Sequence, residues 1–101
     1  MTGVRRMPKD LPLKSRLLMS FEGNDMWDYE AIPPILNEDG KGDSEYWKLT
    51  ARFWLAELAL NGLLEVVDED VDDGSHFGPN KSMSKYGLTE YGLQAIDSML
   101  R

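Results

Sequence analysis

The stretch SEYWKLTARFWLAELALNGLLEVV, residues 44–67, constrains this chain more than any other. Ser44, or Asp43 before it, offers an oxygen to the free amides of a first helical turn, and Glu45 suits the positive end of the helix dipole. The body that follows is rich in alanine and leucine, both strong helix formers. Asn61-Gly62 then supplies a left-handed stop, and Leu63 or Leu64 folds back on the last turn. The pattern predicts a helix of roughly seventeen residues that runs directly into a strand written LLEVV.

The flanking segments build outward from that unit. Leu13, Leu17, Leu18 and Phe21 recur at helical spacing, so a first helix of roughly ten residues is expected from Leu11 to near Gly23-Asn24. Pro12 is tolerated there because it falls in the opening turn. Between Asn24 and Asn37 the pattern weakens. Asn24, Asp25 or Asp28 can cap a helix, but Pro33 and Pro34 kink or divide one. A short, irregular second helix is expected over Tyr29–Asn37, preceded by a brief strand at Met26 and Trp27, and EDGKGD (38–43) reads as a loop. After the long helix and its strand, DEDVDDGSHFGPNKS (68–82) reads as a long turn and MSKYGL (83–88) as the returning strand. Thr89 caps a last helix, Glu90–Leu100, with Tyr91, Ile96, Met99 and Leu100 facing inward. Gly92 costs that helix about 1 kcal/mol relative to alanine, and a close approach of helix to strand explains its presence.

Composition narrows what such a chain does. Its 101 residues suit one domain, here 11–101 behind a flexible basic arm at 1–10, and the 42% hydrophobic content with three tryptophans supports a core. No run of eighteen apolar residues is present and Met1–Asp10 lacks an apolar signal core, so a cytoplasmic protein without a membrane segment is expected. There is no cysteine and one histidine, which excludes disulfides, thiol catalysis and thiolate zinc sites. No phosphate-binding glycine loop, nucleophile elbow or histidine pair appears, so neither catalysis nor a cofactor is expected. Asp68, Asp70 and Asp72 have the one, three, five spacing of a calcium loop. The glycine and glutamate such a loop requires are replaced by Asp73 and Pro79, and no metal is expected.

Helix, helix, helix, strand, turn, strand, helix is the order of an α+β winged helix-turn-helix: a three-helix core, a two-stranded β-wing and a C-terminal helix. LAELALNGLLEVV looks like the end of a recognition helix passing into the first wing strand. GPNKSMSKYGLTEYGLQAI is similar to the wing closure of PadR-type and MarR-type transcriptional regulators. The resemblance spans about residues 44–97 and implies a regulator of double-stranded DNA, working as a dimer, with its third helix in the major groove and its wing on the backbone. At 100° per residue, Lys48 and Arg52 share a helix face with Glu45. The resemblance gives Arg52 a guanine edge or a phosphate, Lys48 a phosphate and Ser44 a contact from the helix start. It gives Asn80, Lys81 and Lys85 the backbone contacts of the wing, places His76 near the tip, and brings Arg5 and Arg6 in from the arm.

Charge opens a second reading. The net charge is −7, and residues 21–40 hold six acids and no base. Asp68, Glu69, Asp70, Asp72 and Asp73 would repel a phosphodiester backbone. They otherwise read as a solvated turn that keeps an edge hairpin from pairing. Lys48 and Arg52 equally read as a solvated face paired with Glu45. The long helix also carries two apolar stripes, one of Trp47, Ala51, Trp54 and Leu58, the other of Tyr46, Leu49, Phe53 and Leu60. Either the first helix and the wing cover the second stripe, or it forms a dimer or partner surface together with Trp27 and Tyr29. On this reading the chain is an acidic winged-helix protein-interaction module whose surface binds a basic partner or mimics nucleic acid, with no affinity for DNA of its own.

Overall fold

The computed structural model describes residues 11–100. The arm at 1–10, with Arg5 and Arg6, lies outside the described residues. In chain order the elements are α1 (Leu13–Met19), β1 (Met26–Trp27), α2 (Asp28–Glu38), α3 (Glu45–Leu60), β2 (Leu64–Asp73), β3 (Pro79–Leu88) and α4 (Glu90–Met99). The strands form one antiparallel sheet in the order β1-β3-β2, with Met26 opposite Tyr86 and Leu64 opposite Leu88. The protein is thus a compact α+β domain of four helices and a three-stranded sheet among the described residues. None of those helices is long and apolar enough to cross a membrane.

Capping chemistry fixes α3 at both ends. The Ser44 hydroxyl accepts from the Trp47 amide at 3.2 Å. At the other end Gly62 takes φ +81°, its amide donates to the Ala59 carbonyl at 3.1 Å, and Leu63 donates to Leu58 at 2.9 Å. These are the paired bonds of a Schellman stop. Ala51, Leu55 and Leu58 turn this helix into the core, against Leu17, Leu18 and Phe21 from the first segment, Ile32 and Leu36 from α2, and Ile96 from α4.

Several elements differ from their sequence expectation, each for a local reason. Helix α1 is shorter than ten residues, and Phe21 lies beyond it in a turn yet is buried. Helix α2 runs unbroken through Pro33 and Pro34. Both prolines sit on its exposed face, where water can reach the carbonyls they leave without a donor, while Ile32, Ile35 and Leu36 are buried behind them. None of the expected caps starts α2: the N-cap is Trp27, whose amide donates to Glu30 at 2.9 Å. The hairpin strands each reach ten residues, because the acids of 68–73 pair along β3 instead of looping out. Tyr91 is exposed, since the inward line of α4 passes through Gly92 and Ile96. Arg16 is buried although charged, 2.7 Å from Asp39 and 3.7 Å from Glu38.

Helix α4 is set by one contact. The Thr89 hydroxyl accepts from the Gly92 amide at 2.9 Å and donates to the Gly62 carbonyl at 2.6 Å. That draws the first turn of α4 onto the end of α3, so a Cβ on Gly92 would stand 2.1 Å from the Leu63 carbonyl oxygen. Helix propensity alone favours alanine here by about 1 kcal/mol, but the clash is with backbone that cannot swing aside. Gly92→Ala is therefore expected to destabilise the domain by about 2 kcal/mol net, read as a lower urea midpoint at unchanged slope. A stability gain would refute this packing account.

Candidate functional site

The expected groove-reading cations are largely engaged within the molecule. Arg52 is half-buried, donates from Nη2 to the Ser82 carbonyl at 2.8 Å, and lies over the Phe77 ring at 4.5 Å. Lys48 reaches Glu45 at 3.4 Å. Lys14 pairs with Glu57, and Lys41 lies over the Trp47 ring at 5.2 Å. On the hairpin, Lys81 and Asn80 are exposed, Asn80 in a left-handed conformation at φ +65°, and Lys85 faces Asp68 across the ladder. The Ser44 hydroxyl accepts the capping bond from Trp47 and keeps its own O–H. The described residues hold seven Lys and Arg against seventeen Asp and Glu.

What α3 presents outward is apolar. Tyr46 is 69% exposed, Leu49 48%, Phe53 65% and Leu60 87%, so neither α1 nor the hairpin covers the second stripe. Glu45 and Glu57 border it, both exposed. Trp27 and Tyr29 stack on each other at 5.8 Å, and Tyr29 stacks on His76 at 3.8 Å. This ladder ties the hairpin tip to the start of α2. Beside it lies a cleft of about 350 Å³ lined by Tyr29, Leu36, Lys48, His76 and Phe77 among others.

Two carboxylates, Asp72 from the run read as a solvated turn and Asp28 from the candidate caps, have other structural roles. Asp72 is buried and accepts four amides, those of Gly74 (2.9 Å), His76 (3.3 Å), Phe77 (2.5 Å) and Gly78 (2.9 Å). It organises the tip and is neither a solvated turn residue nor aimed at a cation. Among the described residues no group of three or more His, Cys, Asp or Glu could hold a metal ion. The local signal was an aspartate followed by glycines two and six residues on, a spacing that lets one carboxylate collect several turn amides. Asp28, also buried, accepts from Tyr29 at 2.8 Å and from Ser84 on β3 at 3.1 Å.

The two acids shift in opposite directions. For Asp72 burial works to raise the pKa, but the four amides outweigh it and hold the carboxyl far below its usual 3.8. For Asp28 burial prevails and raises the pKa, against the Ser84 and Tyr29 amides and the charges of Arg52 and His76. By linkage, Asp72 stabilises the fold above its usual pKa and loses that contribution as the pH falls through the folded value. Asp28 favours the fold below its usual pKa and loses that contribution as the pH rises through its folded value. The stability gap between wild type and Asp72→Asn is accordingly expected to be widest near neutrality and to narrow below about pH 4, whereas that for Asp28→Asn changes with the opposite slope. Urea midpoints followed across pH 3–8 check both signs. No family model, no curated protein and no solved structure matches this chain.

Proposed function

We propose that this chain is a winged-helix-type domain, similar in plan to PadR-type and MarR-type regulators, whose third helix serves a protein partner instead of a DNA groove. The observation that carries this reading is the outward face of α3, where Leu49, Phe53 and Leu60 stand exposed between carboxylates. A helix that enters a major groove needs donors and cations on that face. Arg52, the side chain best suited to a guanine edge, is turned to the hairpin.

The same face fits a partner of definite chemistry. Exposed large apolar side chains supply affinity, and the acids around them select a basic rim. Glu45 and Glu57 are paired with Lys48 and Lys14, but the described residues as a whole carry seventeen acids against seven bases, so self-association of two copies is opposed by like charge. An amphipathic helix with a leucine stripe flanked by lysine or arginine meets both requirements, lying along α3 in the helix-in-groove manner.

Two titrations test the reading. Generic duplex at low ionic strength is expected not to bind, and Lys48→Glu with Lys81→Glu to change nothing. A helical peptide with a leucine stripe and lysine flanks is expected to bind, its glutamate-flanked counterpart not to, and Phe53→Glu to weaken binding roughly tenfold or more. Salt-sensitive duplex binding abolished by Lys48→Glu would restore the DNA-regulator reading. A dimer in sedimentation that Phe53→Glu dissociates would assign the face to a second copy.

A further inference from the structure

Beneath Leu49 and Phe53 lies a cavity of about 240 Å³ between α3 and β3, into which Asp28, Arg52 and Tyr86 also face. Resting on the reading of α3 as a partner surface, we infer that this cavity receives a glutamine side chain of the partner, its carboxamide lodged between Asp28 and Arg52.

The argument is one of valence. Asp28 is 4% exposed, yet it forms no ion pair with Arg52, although both line the same space. Its two oxygens each accept one backbone amide, and an ionised carboxylate has about four acceptor sites, so roughly half of its capacity is unspent. Arg52 commits one N–H to Ser82 and its face to Phe77, out of about five N–H donors. A cation entering the cavity meets Arg52, and an anion meets Asp28. A neutral group with a donor and an acceptor side by side satisfies both poles: its NH₂ donates to Asp28 and its carbonyl oxygen accepts from Arg52. Leu49, Phe53 and Ala56 form an apolar wall, which suits the two methylenes of glutamine better than the single one of asparagine. Burial that raises the Asp28 pKa is consistent with a carboxylate whose compensation is incomplete until such a donor arrives.

Four peptides test this on the full chain: the lysine-flanked amphipathic helix carrying Gln, Leu, Glu or Lys at one central position of its apolar stripe. The Gln peptide is expected to bind wild type tightest, roughly tenfold better than the Leu peptide. Asp28→Asn is expected to shrink that preference to about threefold or less, with circular dichroism confirming its fold. Should that variant not fold, the ranking of the four peptides on wild type decides alone. Tightest binding by the Lys or Glu peptide, or equal binding by all four, overturns the glutamine assignment and leaves the partner surface standing. Failure of all four to bind overturns both.

Discussion

The carbonyl of Leu63 is the point on which this architecture turns. It accepts from the Thr89 amide at 3.2 Å and lies within 3.1 Å of the Thr89 hydroxyl, and Gly92 passes so close that no larger residue fits. The end of α3, the start of β2, the end of β3 and the first turn of α4 therefore meet at one backbone group. A residue at position 62 that could not hold a left-handed φ would move Leu63, and with it the register of the hairpin and the seat of α4. Everything outward of this junction inherits its direction: the face α3 exposes, the reach of the hairpin and the position of Arg52.

From that junction the hairpin folds its tip back toward the helices. Asp72 gathers the amides of the tip, His76 stacks on Tyr29, and Phe77 lies beneath Arg52. On the described residues carboxylates outnumber cations, and counterion release needs cations that are not already paired. The apolar stripe of α3 is the complementary observation. Phe53 and Leu60 are mostly exposed on a helix face bordered by acids, the basis of the partner proposed above.

The elements whose signals are local were legible in the sequence. Ser44, Asn61-Gly62 and Thr89 mark helix ends because each satisfies backbone groups within a few residues, and the structure places caps at all three. The reason for Gly92 was legible too, since a glycine in a helix needs a close neighbour to justify it. Tertiary context was not legible. Two prolines divide a helix on propensity, but burial of Ile32, Ile35 and Leu36 outweighs them when the prolines face water. Nothing local to Arg16 marks it for burial; the turn after α2 brings Asp39 beside it. The residues proposed here to receive a partner's side chain, Asp28 and Arg52, are 24 positions apart in sequence; only the packing of α2, α3 and β3 brings them to one cavity.

Strand β2 lies at the edge of the sheet and carries carboxylates over most of its length. A further strand of the same chain laid along that edge would set rows of like charge about 5 Å apart. Like charge thus closes the β2 edge to a second copy, and the most acidic segment of the described residues opposes fibrous growth.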